Sequence, residues 1–327
     1  MTFPQLTQAQ ALLTSEIEVL NEYGELQKVS IPAERALTVY VDKRELVTLM
    51  TLGANPELLV LGYLRNQRLV KNLANIESIT VDWDVGAAAV KTRHGIEDIE
   101  EKTARRVVTT GCGQGSVFGG LMDEVDKIEL PLDACITQSQ LYGLVNTIRL
   151  KETTYKSAGS VHACALFSTA SSEAQMLLFV EDVGRHNAID TIAGWMWMQD
   201  VAPTLPEGAA APAARQSRFR GPDLQEAAAA GQDGVPTLVA SPTDLGLEGL
   251  VFYTTGRLTS EMVIKSAQMG VPVVVSRSGI TQMGHQVAQS VGLCAIGRAT
   301  NKRFLCYTGA ERLRLQPELA GPKLGPS

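Results

Sequence analysis

The chain has 327 residues, 45% hydrophobic and 20% charged, with a formal net charge of -6 and a pI near 5.4. That length exceeds the roughly 100–200 residues of an ordinary domain, leaving one large domain or two smaller ones open, and the composition excludes wholesale disorder and fibrous classes. An acidic chain lacks the broad basic surface that a phosphate backbone demands, so no nucleic acid is expected as partner, although a local basic cluster could still hold an anionic small molecule.

The opening MTFPQLTQAQALLTSEIEV has neither a positive n-region nor an apolar h-region. No apolar run approaches the roughly 18 residues of a membrane span, so a cytoplasmic protein with no membrane segment is expected. Five cysteines (Cys112, Cys135, Cys164, Cys294, Cys306), none paired at CxxC spacing, fit a reducing compartment and provide no structural zinc site.

In chain order, residues 35–64 alternate β-branched and polar residues around Asp42-Lys43, predicting a hairpin, and Asn55-Pro56 starts a helix. Strands are expected at 76–83, 87–95 and 127–132, a helix near 137–151, and strands at HACALFS and MLLFVED. Residues 200–247 are rich in Ala, Pro, Gly and Gln. Such a segment buries too little apolar surface to offset its ordering entropy and reads as a mostly disordered insertion or surface loop. Order then returns with the strand LVFYTTG, a helix capped by Thr259 or Ser260 and stopped by Gly270, the continuously apolar strand VPVVVSRSG, a helix ending at Gly292, and the strand LCAIGRA. Right-handed crossovers make these three strands parallel, and ligands of such sheets bind beyond the carboxyl ends of the strands. Those ends are TTGR (254–257), SRSG (276–279) and GRATNKR (297–303), each with an arginine.

Three stretches could carry chemistry. TTGCGQGSVFGG (109–120) sets Cys112 among glycines, with Arg105 and Arg106 upstream. Backbone amides or arginines would favour its thiolate and the glycines a close approach to a partner; a surface cysteine in a loose turn is the plainer alternative. EDVGRHNAID crowds Glu181, Asp182, Arg185 and His186 at a strand-to-helix turn. These could move protons or hold a ligand, or Asp182 or Asn187 could simply cap the helix while Arg185 joins an ion pair. His162 stands just ahead of a strand, where a satisfied core histidine is the other outcome. At the strand ends, Arg257, Arg298, Lys302 and Arg303 with the hydroxyls of Thr254, Thr255, Ser276 and Ser278 form a phosphate-binding combination. Neither GxxxxGK[ST] nor a GxGxxG opening a βαβ unit occurs, so nucleotide triphosphate hydrolysis and NAD binding have no support.

The ordered blocks ERALTVYVD, LMTLGANPELLVLGYL, TTGCGQG, SVHACALF with EDVGRHNAID, TTGRLTSEMVIKSAQMGVPVVVSRSG and IGRATNKRFLCYTG resemble the formate dehydrogenase accessory sulfurtransferase family, FdhD. The resemblance implies an α/β fold, a cytidine-deaminase-like mixed sheet with flanking helices plus an N-terminal α+β part. It suggests a division into an N-terminal extension (1–29), the α+β part with the cysteine loop (30–135), the cytidine-deaminase-like domain (136–310) interrupted at 200–247, and a tail (311–327). It further implies a cytoplasmic homodimer that works as a sulfurtransferase. A cysteine desulfurase would pass a sulfane sulfur to Cys112, and the persulfide would sulfurate the molybdenum cofactor, Mo-bis(molybdopterin guanine dinucleotide), destined for formate dehydrogenase. The residues implied to bind this cofactor are Arg298, Ala299, Thr300, Asn301, Lys302 and Arg303, joined by Arg257, Ser276, Arg277 and Ser278. His162, Glu181, Asp182, Arg185 and His186 are implied in support, and no metal site is implied.

Two departures from the family pattern stand out. Where the family's loop usually carries CxxC, this chain reads Cys112-Gly113-Gln114-Gly115, which favours direct delivery of sulfur over internal release as a disulfide. The segment LGYLRNQRLV lacks the acidic residue more usual after that helix. The missing second cysteine also leaves room for a molybdenum-cofactor chaperone without sulfur transfer. A zinc deaminase, the other activity of such folds, lacks its HxE and PCxxC ligands here.

Overall fold

The computed structural model describes residues 3–96, 99–100, 107–108, 115–116, 125–151, 154–199 and 246–320. The first part is built on a five-stranded sheet. Its strands are β1 (Gln5–Leu6), β4 (Arg35–Val41), β5 (Arg44–Thr51), β6 (Ile76–Asp82) and β7 (Ala87–Thr92), in the order β1-β6-β7-β4-β5. Between β1 and β4 run β2 (Thr14–Leu20) and β3 (Leu26–Pro32), an antiparallel hairpin of its own. The expected hairpin at Asp42-Lys43 is β4–β5, and both turn residues take positive φ (46° and 73°), the backbone hand that matches the twist of the flanking strands. Alternation along β4 buries Leu37, Val39 and Val41 against α1 (Pro56–Asn66), whose Pro56 gives up an amide that a first helical turn leaves unpaired in any case. Residues ahead of β2 are tied into this core, because Thr7 Oγ1 and the Ala9 amide both donate to Glu57 Oε1 at 2.7 Å.

Two short strands follow, β8 (Val107–Val108) and β9 (Gly115–Ser116), paired antiparallel. They bracket residues 109–114, so Cys112 itself lies outside the described residues. The strand expected at 127–132 is not formed. Val125–Lys127 is one turn of 3-10 helix and the residues after it are irregular. Pro131 brings no amide to a ladder, and the carbonyls of Pro131 and Ala134 accept from the Arg312 guanidinium instead.

The second part is a six-stranded mixed sheet. The chain enters it through β10 (Ile136–Thr137), α2 (Gln138–Lys151) and α3 (Thr154–Ala158), then runs β11 (His162–Ser168), β12 (Gln175–Asp182), α4 (Arg185–Met198), β13 (Leu250–Thr254), α5 (Ser260–Gln268), β14 (Val273–Ser276), α6 (Gln282–Ser290), β15 (Cys294–Thr300), β16 (Arg303–Thr308) and β17 (Leu313–Arg314). The sheet order is β12-β11-β13-β14-β15-β16. β13, β14 and β15 are parallel, as the β-α-β-α-β reading required, while β12, β11 and β16 add antiparallel flanks. Both faces of the central strands are covered: Phe252 and Val274 pack beneath α4 and α5, while Tyr253 and Val275 pack with Leu141 and Leu144 of α2. That double burial explains why VPVVV reads as an unbroken apolar run. Gly270 (φ 78°) and Gly292 (φ 64°) end α5 and α6 in the left-handed conformation. The parallel pair β10–β17 brings residues after 310 back beside the start of α2.

Within 200–247, residues 200–245 lie outside the described residues, but Leu247 is buried in the core and opens a 3-10 turn before β13. The two parts meet where α1 crosses α4 on two glycines. A Cβ on Gly62 would stand 1.6 Å from the Asp190 carbonyl oxygen, and one on Gly194 would stand 2.0 Å from that of Leu58. Backbone therefore lies on backbone at this crossing, and any side chain would push the helices apart.

Candidate functional site

The sheet topology gathers four of the sequence-singled stretches at one end. β11 starts there, antiparallel β12 ends there, and β13 and β14 finish beside them, with His162 opposite Asp182, Ala163 opposite Glu181, and Thr254 opposite Cys164 and beside Ser276. The turn after β12 leads into α4 and delivers Arg185, which crosses Gly256 so closely that a Cβ there would meet Arg185 Cδ at 2.8 Å. Arg185 is 6% exposed, and its Nε has no hydrogen-bond partner among the described residues. A buried guanidinium N–H without an acceptor is costly, and here it stands at the strand ends where an anion would supply one. Burial, then the nearby charges of Arg185, Arg277 and Arg257, hold the half-buried His162 below the ordinary imidazole range. The result is a neutral imidazole surrounded by three cations. Arg277 also lies 5.4 Å over the Tyr155 ring, a cation–π placement that fixes its stem.

The hydroxyls at these ends hold the turns in shape. Ser276 Oγ donates to the Gly256 carbonyl at 2.7 Å and accepts from the Ser278 amide at 2.9 Å; Ser278 Oγ donates to the Thr255 carbonyl at 2.9 Å. Thr255 Oγ1 accepts from the Ala163 amide, and Thr254 Oγ1 from the Gly256 amide. Ser276 and Ser278 thus act through backbone shape, while Arg257 and Arg277 supply charge. The third end joins by its main chain: the Arg298 amide donates to the Ser278 carbonyl at 2.7 Å, with Arg298 at φ 51°. Beyond it Ala299 is 1% exposed and belongs to the core, and Thr300 pairs with Arg303 across the β15–β16 hairpin. Arg298, Thr300, Asn301, Lys302 and Arg303 are exposed.

The acidic residues support the site from beneath. Glu181 accepts from the amides of Thr154 and Tyr155 at the start of α3, placing Tyr155 under Arg277. Asp182 accepts from the amides of Gly184 and Leu52, from Asn187 Nδ2 and from Thr51 Oγ1, joining the first part of the chain to the start of α4. Burial outweighs those four donors and pushes the Asp182 carboxyl up to about 6. His186 lies 3.3 Å from Glu261 and within the field of Arg185. Burial, opposed by Glu261, pushes its imidazole down to about 3, so this contact is between a neutral ring and a carboxylate.

Deeper still, Lys265 Nζ sits 2.9 Å from Asp190 Oδ2 and 3.4 Å from Glu261 Oε1, and Asn66 Nδ2 donates to Asp190 Oδ1 at 2.7 Å. Burial disfavours the Lys265 ammonium, but the two carboxylates outweigh it and keep the amine charged. Sequence reasoning did not single out Asn66, Asp190, Glu261 or Lys265. The Glu261–Lys265 spacing of four was visible, but that spacing ordinarily marks a solvated helix face, and only the packing of α4 on α5 puts it inside.

Of the described cysteines, Cys164 lies closest behind this cluster, and its Sγ donates to Thr254 Oγ1 at 3.4 Å. Burial pushes its thiol up to about 12, which rules it out as a thiolate nucleophile at neutral pH.

A model of the FdhD/NarQ family matches residues 32–217 and 239–314. The chain belongs to the FdhD/NarQ family. The internal stretch between the two matches, 218–238, falls inside the segment read as an insertion. Among relatives of this FdhD/NarQ chain, the sulfur carrier protein FdhD of Bacillus subtilis (strain 168) is 26% identical over 302 residues, covering 90% of this chain and 94% of the relative. The sulfur carrier protein FdhD of Wolinella succinogenes is 23% identical, covering 90% and 85%. A crystal structure assigned as a formate dehydrogenase accessory protein from Desulfotalea psychrophila superposes with a TM-score of 0.60 at 19% identity, over 92% of this chain and 98% of that one. The mixed α/β architecture is therefore that of a solved FdhD/NarQ-like fold. No described helix is long and apolar enough to cross a membrane.

Proposed function

We propose that this chain is a sulfur carrier serving formate dehydrogenase. In this reading Cys112 takes a sulfane sulfur from the persulfide of a cysteine desulfurase, releasing the donor's thiolate, and passes it to a molybdenum cofactor held at the strand ends. The cofactor, Mo-bis(molybdopterin guanine dinucleotide), is cargo here rather than a resident group. The observation that carries the reading is the convergence of Arg185, Arg257 and Arg277 on neutral His162 in a chain whose relatives are named sulfur carriers. The buried Arg185 Nε, without a hydrogen-bond partner among the described residues, suits the diphosphates of such a cargo, because guanidinium–phosphate bonds are charge-assisted. A neutral imidazole among them can donate to the ligand without adding charge. The acceptor's phosphates fill the cationic pocket, while Cys112, on a glycine-flanked segment, brings the sulfur.

The absence of a thiol at Gly115 favours a second reading, escort of the cofactor without sulfur chemistry. Complementation separates the two. In cells lacking the endogenous carrier, the wild-type chain restores formate dehydrogenase activity and Cys112→Ala, expressed to the same level, does not. Full activity with Cys112→Ala would refute the sulfur step and leave the escort role.

A further inference from the structure

Two cysteines away from the strand-end cluster meet across the last hairpin. Cys294 opens β15 and is fully buried; Cys306 lies on β16 and is half-buried. The ladder pairs Ala295 with Thr308 and Ile296 with Cys306, and the extra residue, Tyr307, forms a bulge between them. Cys294 and Ile296 share a face by alternation, so Cys306, opposite Ile296, is the diagonal neighbour of Cys294 on that same face. The bulge adds local twist, Cys306 packs against the buried cluster that holds Cys294, and the Cys306 thiol donates to the Thr308 carbonyl at 3.3 Å. The Gly309 backbone closes the other side, so near that a Cβ would meet Cys294 Cα at 2.7 Å. Two neighbouring thiols on paired strands, one reachable from solvent and one not, form an attacking and a resolving pair.

We propose that Cys294 and Cys306 are a redox-responsive modification site that closes to a cross-strand disulfide by exchange with a low-molecular-weight disulfide such as oxidised glutathione. Cys306, as thiolate, attacks one glutathione sulfur, forming a mixed disulfide and releasing one glutathione thiolate. Cys294 then attacks the Cys306 sulfur; the new S–S bond forms, the second glutathione leaves as thiolate, and the Cys294 proton goes to it. Two protein thiols are oxidised and one glutathione disulfide is reduced to two thiols. The neighbouring Cys294 holds the Cys306 thiol below its ordinary range, which suits it to the first step, and the interaction with Cys306, then burial, raises Cys294, making closure the slower step. The disulfide fastens β15 to β16, the hairpin that carries residues 298–303, and so couples that segment to the thiol redox state. The pair is independent of Cys112 and of the sulfur-carrier reading.

The test is non-reducing peptide mapping of the full chain after incubation with oxidised glutathione and quenching by alkylation. Trypsin separates the two cysteines, into residues 278–298 and 304–312. The expected product joins these peptides with the loss of two hydrogens. Cys294→Ser, which cannot close the bond, accumulates the glutathione adduct on Cys306 at least tenfold over wild type, and Cys306→Ser gives neither product. Oxidation should also raise the Tm of the wild type and leave that of Cys306→Ser unchanged. Wild-type protein that keeps a stable glutathione adduct on Cys306 with no joined peptide would overturn the proposal, as would an unmodified Cys306.

Discussion

Replacing Lys265 by Met removes the cation between Asp190 and Glu261 while keeping the volume of the side chain. Lys265 and Asp190 are both 0% exposed, so water cannot take over the lost partner. Among the described residues Asp190 keeps the bond from Asn66 Nδ2, while Glu261 keeps its contact with His186 and the charge of Arg185. Stranding a buried charge in this way costs about 3–5 kcal/mol, a large part of the roughly 5–15 kcal/mol that holds a protein folded. With a urea slope of about 3 kcal/mol/M, the unfolding midpoint should fall by about 1–1.7 M. The sign of the pH response follows. Burial already holds the Asp190 carboxyl above its ordinary value and Lys265 opposes that shift; without Lys265 it rises further, so the folded state binds a proton that the unfolded chain does not, and the variant recovers stability as pH falls from 7 towards 4. Adding Asp190→Asn, which removes the stranded charge, should restore part of the loss at pH 7. Urea denaturation by circular dichroism at pH 7 and pH 5 reads all three effects. A loss below about 1 kcal/mol, within the range of an exposed ion pair, would refute the buried triad, as would a deficit unmoved by either acid or Asp190→Asn.

Gly194→Ala at the α1–α4 crossing must shift a helix, since its Cβ would sit 2.0 Å from the Leu58 carbonyl oxygen. We expect a loss at or above the usual 1–3 kcal/mol of overpacking, about 3 kcal/mol, read as a lower urea midpoint; an unchanged midpoint would contradict the close crossing. His186 sits near 3 in the folded chain against an ordinary 6.5. Only the unfolded chain protonates between those values, so the residue costs stability as pH falls through that window, by about 1.4 kcal/mol per pH unit. His186→Gln should therefore gain about 2 kcal/mol relative to wild type between pH 6.5 and 5. That comparison cancels the opposite trend from Asp182, whose raised carboxyl favours folding as pH falls below about 6. A difference constant with pH would show that His186 titrates normally. Inorganic pyrophosphate, as a probe of the strand-end cluster, should bind the Arg257→Ala/Arg277→Ala variant at least tenfold more weakly than wild type at low salt, each charged hydrogen bond being worth about 1.5–3 kcal/mol. Equal affinity by calorimetry would remove the arginines from the site.

Local pattern carried the strands and helices because their periodicity and end signals agree with their burial. The Asp42-Lys43 turn, the α1 start at Pro56 and the three parallel strands with their glycine stops are all direct readings of spacing. The strand at 127–132 failed because alternation there competes with Pro131 and with a tertiary demand, the Arg312 guanidinium, that no local window contains. The strand-end arginines were legible from topology alone, since parallel strands bring their carboxyl ends together. What the sequence could not convey is which polar residues face ligand and which face protein. Ser276 and Ser278 look like ligand donors in a motif yet hold neighbouring turns, and of the two histidines His162 is half-buried beside Arg257 and Arg277 while His186 is buried against Glu261. The Asp190–Lys265 pair was invisible for the same reason: its partners come from two helices that meet only in the folded sheet.

The central claim is that sulfur travels on Cys112. Full-length protein incubated with a cysteine desulfurase and cysteine, then mapped by mass spectrometry, should carry an adduct of about 32 Da, one sulfur atom as a persulfide, on Cys112. The adduct should be removed by dithiothreitol and absent in Cys112→Ala. An unmodified Cys112 in folded protein that still binds the cofactor, or the adduct found on another cysteine, would contradict it.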